Sequence, residues 1–449
     1  MTASRSSLPP WRPALLVLAA LGFAVANLIN ALNKGGDFQV FVESGRRVLE
    51  QLPLYEGSSA GVGVVGPPFQ GLFFAPFALI AAVGMPMARV AWYAVGLASL
   101  LAGVAIWSAA LDRPGASEGT SRRFWTRLGS ASVLVPLLAI LFPAQTNFEH
   151  QNMNPLLLAC LGAAAYALRT GRERWAGGLI GAATALKAYP GLLLLYFVYR
   201  RAWRGLAAAL ITAAALSLLP AIVYGPSGLA GLFEQWLAFS TAGGWPDVGN
   251  NQSLVAMIER LVGLNSPLVT PLYAASVLLL LGAFAWAASD RGGTGLGPTA
   301  RAPGAGAPAD AGPGNAADAG GGAVDPTTRW RAAADLALLT LIAVLASPIA
   351  WDHYWVLMFP AFFTVYNSER YRRDGRVRVL FWVALVLTSG VSRNTMGLSG
   401  FEIARHASNS TWAALILFAA AIAARLDAPR AQDAARPTRA SSASRALRR

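Results

Sequence analysis

The residues of this chain best suited to acid–base chemistry lie in short polar stretches between long apolar ones. Asp37 follows a pair of glycines directly after the first apolar segment, and two later stretches contain Glu149-His150 and Asp352-His353. A carboxylate at the end of an apolar segment can act as a general base that takes a proton from a hydroxyl group. Asp37 and Asp352 also suit the caps of following helices, and Glu149-His150 also suits a solvated turn, so residue type alone leaves these roles open.

Two cationic side chains are suited to holding a phosphate group. Lys187 lies between two short apolar segments, in the sequence Lys-Ala-Tyr-Pro, and Arg393 lies in a polar stretch nearer the C-terminus. Cationic groups form strong, charge-assisted hydrogen bonds with phosphate oxygens. Lys187 also suits a snorkelling lysine, whose stem carries its charge to an interface. The stretch that contains Asn251 and Gln252 most simply caps the helix that follows it, although the amides also suit sugar hydroxyls.

The composition indicates a membrane protein. Hydrophobic residues make up 55% of the chain and charged residues 13%, with a mean hydropathy of +0.47, whereas a soluble domain carries roughly 25% charged residues. The net charge of +14 is concentrated in short arginine clusters between apolar segments. This is the positive-inside pattern and not a nucleic-acid footprint. A single cysteine, Cys160, excludes a disulfide within the chain and a cysteine metal cluster.

The order of the segments predicts an all-α polytopic bundle of about 10 to 13 transmembrane or re-entrant helices. Residues 14–32 are interpreted as a retained signal anchor, followed by an amphipathic helix in the membrane interface. The two apolar segments around Lys187 are too short to span, which predicts a broken hairpin whose tip lines a cavity. The predicted organisation is an N-terminal membrane region (1–288) with a catalytic first outer loop (34–66), a disordered cytoplasmic loop (289–331), C-terminal membrane helices (332–425) and a basic disordered tail (426–449).

The positive-inside pattern also assigns the polar residues to sides of the membrane. Asp37 and all three histidines fall on the outer side, where residues 144–153 and 392–409 are expected to be loops. Ionisable residues within spans are nearly absent, and Lys187 is the one candidate. A transporter tends to place such groups near the bilayer centre, so the pattern favours an enzyme acting on a lipid-borne substrate.

Two other functions remain open at this point: a transporter or flippase of a lipid-linked sugar, and an assembly partner without activity. The sequence contains no P-loop, no Asp-x-Asp pair and no His-Glu-x-x-His motif. We therefore expect no ATP site, no bound metal, no cofactor and no nucleic-acid partner.

An ordered set of motifs resembles glycosyltransferase family 87. The first motifs are Asp37-Phe-x-Val-Phe, Gly45 to Tyr55, and Pro67-Pro68-Phe69. The later motifs are Asn152-x-Asn154, Gly177 to Gly181 with Lys187-Ala188-Tyr189-Pro190, Asn251-Gln252-Ser253-Leu254, and Ser347-Pro348 with Trp351-Asp352-His353-Tyr354. The resemblance covers most of the chain apart from the predicted disordered loop and the tail.

The resemblance implies a GT-C fold in the bacterial cytoplasmic membrane, with its active site facing outward. Family members resemble polyprenol-phosphate-mannose-dependent mannosyltransferases, and some relatives transfer arabinofuranose. The resemblance makes Asp37 the expected catalytic aspartate and His353 a second catalytic residue. The residues expected to bind substrate are Lys187, Asn152, Asn154, Asn251, Gln252, Asp352, Tyr354, Arg393, Glu149 and His150.

The expected partners are a polyprenyl-phosphate sugar donor, preferably mannose, a lipid or glycan acceptor, and membrane lipids. In the expected single displacement, the acceptor hydroxyl attacks the anomeric carbon, Asp37 takes its proton and the lipid phosphate leaves. A β-linked donor then gives an α-linked product. The leaving phosphate already carries a stable charge that Lys187 or Arg393 can stabilise, so this chemistry does not require a metal.

Overall fold

The computed structural model describes residues 11–34, 36–55, 66–112, 129–241, 250–289 and 326–427, and in these ranges the chain forms helices and no strand. The helices up to the broken hairpin are α1 (Trp11–Asn33), α2 (Gly36–Leu49), α3 (Pro68–Val83), α4 (Met85–Ala110), α5 (Ala131–Ala139), α6 (Leu141–His150), α7 (Asn154–Arg169), α8 (Glu173–Leu186), a 3₁₀ turn (Tyr189–Leu193) and α9 (Leu194–Tyr199).

The second half continues the bundle. Its helices are α10 (Trp203–Leu218), α11 (Ala221–Thr241), α12 (Leu254–Val262), α13 (Val269–Ala288), α14 (Pro326–Leu345), a 3₁₀ turn (Asp352–Met358), α15 (Phe359–Tyr366), α16 (Glu369–Arg373), α17 (Gly375–Leu385) with a π turn (Val386–Gly390), α18 (Arg393–His406) and α19 (Asn409–Leu426). The predicted loop 289–331 and tail 426–449 lie mostly outside the described residues, and α14 begins at Pro326, inside the predicted loop.

The described helices include enough long apolar segments for a polytopic membrane protein, as the composition predicts. Four are long and apolar enough to cross a bilayer: Ala14–Asn33, Met85–Ala110, Val269–Ala288 and Asn409–Leu426. The number rises to seven if each of three sharply bent helix pairs counts as one span, and three shorter apolar helices accompany them.

The bent pairs correct the expectation of irregular loops at residues 144–153 and 392–409. Helix α6 continues α5 after a bend of 57°, and α18 follows the α17 segment after a bend of 93°. Helix α6 buries Ala144 and Phe148, and α18 buries Phe401. These helices carry too many polar residues to register as apolar segments, which is why hydropathy alone predicts loops there.

Helix α14 is the centre of the bundle. Every residue from 330 to 345 is buried, and such a helix, covered on all sides, belongs to a core. Its Asp335 is fully buried, with one carboxylate oxygen 2.6 Å from Arg200 Nη2 and the other 2.7 Å from Arg425 Nε. Asp335 therefore corrects the expectation that Lys187 is the one ionisable candidate within a span. Two arginines offset the cost of burying this charge.

The amphipathic helix expected after the first span is α2. Phe38 and Phe41 on its apolar face are buried and contact aromatic residues of the next two helices. The Phe41 and Phe74 rings lie 4.6 Å apart, and Phe38 stacks on Trp92 at 6.2 Å. The apolar face of α2 is therefore covered by protein, and this packing holds the start of α2 in place.

The broken hairpin expected around Lys187 consists of α8, a break at residues 187–188, and the short helices that follow. Pro190 accounts for the break, since proline has no N–H for the carbonyl four residues earlier, that of Leu186 at the end of α8, and its ring would clash with that carbonyl. Helix α8 packs against α10 at two glycines. A Cβ at Gly177 would overlap the carbonyl of Gly205, and one at Gly181 would overlap that of Ala209. Small residues at this four-residue spacing allow membrane helices to approach closely.

We expect Gly181→Ala to lower the thermal stability of the purified protein in detergent, because the new methyl group meets the α10 main chain. Overpacking of this kind typically costs about 1–3 kcal/mol. Gly178→Ala is the matched control on the same helix, since its Cβ would lie 3.5 Å from the Thr212 hydroxyl, an ordinary contact. Equal melting temperatures for the two variants would contradict the close packing of α8 and α10.

Candidate active site

A cavity of about 390 Å³ lies at the end of the bundle where four helix breaks converge. The breaks are the α1–α2 junction, the α6–α7 corner, the interruption after α8 and the turn after α14. The polar residues that line the cavity include Asp37, Gln70, Asn152, Lys187, Tyr189, His353 and Tyr354. The cavity thus brings together residues that are more than 300 positions apart in the sequence.

Asp37 is the second residue of α2, inside its first turn, and not the residue that precedes the helix. Its position depends on Gly36, which has a left-handed φ of 55°. A Cβ on Gly36 would lie only 2.8 Å from the Cα of His150. The close approach of α2 to the end of α6 directs Asp37 toward the cavity.

Asn152 links the acidic and basic side chains of the cavity. Its Nδ2 donates to Asp37 Oδ2 at 2.6 Å, and its Oδ1 accepts from Lys187 Nζ at 3.2 Å. Asn152 occupies the corner after α6, where Gln151 is left-handed, with a φ of 52°, and the Asn152 backbone N–H donates to the Asn147 carbonyl. The corner buries Asn152 and leaves its amide beside both charged groups.

Lys187 is held at the break after α8. Its Nζ donates to Asn154 Oδ1 at 3.0 Å and lies 3.7 Å from the centre of the Tyr354 ring. Burial lowers the pKa of Lys187 to about 7, and the Asp37 carboxylate partly opposes this effect. Near neutral pH the charged and neutral forms of Lys187 are therefore close in free energy. A bound anion would favour the charged ammonium form.

His353 lies in the 3₁₀ turn after α14 and is buried. Its Nε2 lies 3.3 Å from Asp37 Oδ2, without the alignment of a hydrogen bond. Burial above all, and then the nearby His150 and Lys187, lower the pKa of His353 well below its usual range. A neutral imidazole thus lies against the carboxylate.

Two other predicted residues, Asn154 and Tyr354, also belong to this cluster. Asn154 begins α7, accepts from Lys187 and Tyr189, and donates to the His353 carbonyl at 3.1 Å. Glu149 and His150 lie just outside the lining. Glu149 pairs with Lys34 Nζ at 2.5 Å, and the His150 ring lies 5.4 Å from that of His353.

Besides Asn154, Glu149 and His150, four residues predicted to bind substrate do not line the cavity. The amides of Asn251 and Gln252 are buried and bind backbone groups. Asp352 is buried and paired with Arg405, whose Nε lies 3.2 Å away. Arg393 is exposed at the start of α18, with its guanidinium group 5.8 Å from the Phe401 ring. Of the two predicted phosphate-binding cations, only Lys187 is in the cavity.

Sequence reasoning missed several residues at or beside the site. Gln70 and Trp351 line the cavity, although Trp351 is typical of an interfacial aromatic and Gln70 only follows a proline pair. Arg405 lies behind the site in a stretch interpreted as a loop. Among the described residues, no group of three or more His, Cys, Asp or Glu side chains is arranged to hold a metal ion.

Comparison with known proteins identifies the family. The model of glycosyltransferase family 87 matches residues 65–299, more than half of the chain. The chain belongs to glycosyltransferase family 87. The predicted glycosyltransferase is thereby confirmed, and the transporter and the inactive assembly partner are set aside.

Individual mycobacterial proteins show the same relationship. A polyprenol-phosphate-mannose-dependent alpha-(1-2)-phosphatidylinositol mannoside mannosyltransferase of Mycolicibacterium smegmatis is 27% identical over 83% of this chain and 79% of its own length. The protein with the same name from Mycobacterium tuberculosis is 26% identical over 83% of this chain and 80% of its own length. A pentamannoside mannosyltransferase of Mycobacterium tuberculosis is 24% identical over 72% of this chain and 62% of its own length. No solved structure matches the chain.

The segment that matches the family model contains only some of the polar residues that line the cavity. The matched segment includes Asn152 and Lys187, whereas Asp37 and His353 lie outside it. The cavity brings both of those residues against the matched pair.

We expect Gly36→Ala to reduce glycosyltransferase activity strongly, because the new Cβ would push α2 away from α6 and move Asp37. A displacement of about 1 Å at a reacting group can cost roughly 100-fold in rate. Gly22→Ala on α1 is the matched control, since nothing lies within 4 Å of its Cβ position. Full activity in a folded Gly36→Ala protein would show that this close approach does not position Asp37.

Proposed function

We propose that this glycosyltransferase transfers mannose from a polyprenyl-phosphate donor to a lipid or glycan acceptor at the outer face of the cytoplasmic membrane. The reaction is a single inverting displacement. Asp37 takes the proton of the acceptor hydroxyl, and Lys187 stabilises the phosphate that leaves. A general base of this kind typically contributes about 10² to 10⁴ in rate.

The observation that carries the proposal is the Asn152 amide, which binds Asp37 with one end and Lys187 with the other. A displacement at a sugar–phosphate bond needs a base on the acceptor side and a cation on the phosphate side. These two groups line one cavity without a direct ion pair between them among the described contacts. Both are therefore available to a substrate.

His353 and the aromatic rings support these roles. The neutral imidazole at 3.3 Å shields the Asp37 carboxylate from water without adding a competing positive charge. The Tyr354 ring beneath Lys187 favours its cationic form. Lys187 can therefore meet the donor phosphate as an ammonium group.

The remaining wall of the cavity suits a lipid-linked donor. Val40, Phe41, Pro67, Ile349 and Trp236 line it and offer apolar surface beside the polar cluster. The polar cluster is suited to the sugar phosphate, and the apolar wall to the first part of a prenyl chain.

The arginine distribution supports an outward-facing site. Helix α7 begins beside the cavity at Asn154 and ends at Arg169, roughly 24 Å away at 1.5 Å per residue. The next helix starts beside Arg172 and returns to the cavity at Lys187. By the positive-inside rule, the arginine end faces the cytoplasm and the cavity faces outward.

The names of the mycobacterial relatives suggest the acceptor. They act on phosphatidylinositol mannosides and form alpha-(1-2) linkages. We extend this class to the present chain as a mannose-bearing phospholipid, with an α-linked product formed by inversion from a β-linked donor.

The experiment that tests this function compares the wild type with Asp37→Asn in nanodiscs, using radiolabelled polyprenyl-phosphate mannose and phosphatidylinositol mannosides. We expect the variant to lose about 10² to 10⁴ of the transfer rate, because an amide cannot accept the hydroxyl proton. Glu43→Gln is the matched control on the same helix, since among the described residues Glu43 pairs with arginines of α2.

Each outcome has a definite meaning. Transfer by the wild type and Glu43→Gln, but not by Asp37→Asn, supports the base and the donor together. Equal transfer by all three proteins removes Asp37 from the mechanism. If the wild type transfers nothing from the mannose donor, an arabinose-loaded donor tests the alternative sugar and the mannose assignment is withdrawn.

The lowered pKa of Lys187 gives a pH prediction. Lys187 loses its proton as the pH rises through about 7, so kcat/KM for the donor should fall on the alkaline side, because the neutral amine cannot hold the phosphate. Lys187→Arg should abolish this fall, since a guanidinium group stays charged above pH 12 or so. The test is the profile of kcat/KM from about pH 6 to pH 9, which reports the pKa values of the free enzyme. A flat wild-type profile would remove this role from Lys187.

A further inference from the structure

The turn between α14 and α15 carries Trp351, His353 and Tyr354 into the cavity, and its backbone is held firmly on one side. The Asn251 side chain accepts from the Ala350 N–H and donates to the Pro348 carbonyl, both at 3.1 Å. The Gln252 backbone N–H donates to the Ala350 carbonyl at 2.7 Å. These contacts end at residue 350, just before Trp351, His353 and Tyr354.

A second contact holds the turn further along. Asp352, the first residue of the 3₁₀ turn, is buried behind the cavity lining with its Oδ2 3.2 Å from Arg405 Nε. Arg405 lies near the end of α18 and is itself buried. Its guanidinium group lies 5.0 Å from the Phe401 ring, and its carbonyl accepts from Gln252 Nε2 at 2.8 Å. Arg405 therefore ties α18 to both parts of the clamped turn.

The buried ion pair of Asp352 and Arg405 contributes more to the geometry of the turn than to the free energy of unfolding. The desolvation of two buried charges offsets much of their attraction. Asp352 directly precedes His353 in the sequence. The backbone between Asp352 and His353 transmits any displacement of the carboxylate to the imidazole, one residue away.

We propose that Arg405, acting through Asp352, is a positioning residue that holds His353 and Tyr354 against Asp37 and Lys187. This inference rests on the proposed function, in which Asp37 and Lys187 act on the acceptor and the donor. Neither Arg405 nor Asp352 lines the cavity, so their loss should change the rate of the step and not the binding of the donor.

The kinetic test uses Asp352→Asn, Arg405→Gln and the double variant in nanodiscs. We expect kcat to fall about 10- to 100-fold in each single variant, as for small misplacements of reacting groups, with the donor KM unchanged within about twofold. The double variant should be no slower than Arg405→Gln, because both changes remove the contact between Asp352 and Arg405. Asp352→Asn conserves size and serves if Arg405→Gln does not fold.

Asp335→Asn is the matched control. It also removes a buried aspartate–arginine contact, that of Asp335 with Arg425 at 2.7 Å. Asp335 lies ten residues before the end of α14, roughly 15 Å along the helix from the turn. We expect this variant to lose thermal stability while its folded fraction keeps the wild-type kcat.

A readout that does not depend on activity separates this inference from the proposed function. Hydrogen–deuterium exchange of peptides covering residues 347–356 should become faster in Arg405→Gln and stay unchanged in Asp335→Asn. If the wild type transfers no sugar, the proposed function fails and the exchange result alone decides whether Arg405 holds the turn. Unchanged exchange, a kcat within about twofold of the wild type, or losses that multiply in the double variant would each overturn the inference.

Discussion

The site depends on one side-chain amide, that of Asn152. It donates to Asp37 and accepts from Lys187, so a carboxylate and an ammonium group share a small cavity while remaining apart. A direct ion pair would favour the ionised carboxylate and weaken it as a proton acceptor, and would also turn the cation away from a phosphate. An amide can separate them because it offers a donor and an acceptor on one planar group.

The Asn152 amide lies at the end of the bundle where several helices are interrupted. Gln151 takes a left-handed conformation at the α6–α7 corner, Gly36 does the same before Asp37, and Pro190 follows the break at Lys187. Irregular backbone is tolerated in a membrane protein where it lines a cavity. The freed polar groups turn toward the same space, and α14, buried from residue 330 to residue 345, fixes the ends of the helices around them.

The sequence predicted the polar residues of the cavity better than it predicted the buried ion pairs in the rest of the bundle. Asp37, Lys187 and His353 interrupt apolar segments, and an interruption is visible in a single stretch of chain. The contacts of Asp335 with Arg200 and Arg425 join residues 90 or more positions apart, and local patterning carries no signal for such pairs. An amide also looks the same whether it faces a cavity or the backbone, so residue type could not separate Asn152 from Asn251.

The charges of the cavity explain why His353 should be neutral. Among the described lining residues, Asp37 and Lys187 are the ionised candidates beside it. In the proposed reaction, Asp37 gains a proton as the phosphate gains negative charge. The negative charge is thus lost on the Asp37 side of the Asn152 amide and appears on the Lys187 side. An imidazolium group 3.3 Å from Asp37 would hold negative charge on the carboxylate and oppose this transfer. A buried, neutral imidazole excludes water and leaves Lys187 as the group that stabilises the new charge on the phosphate.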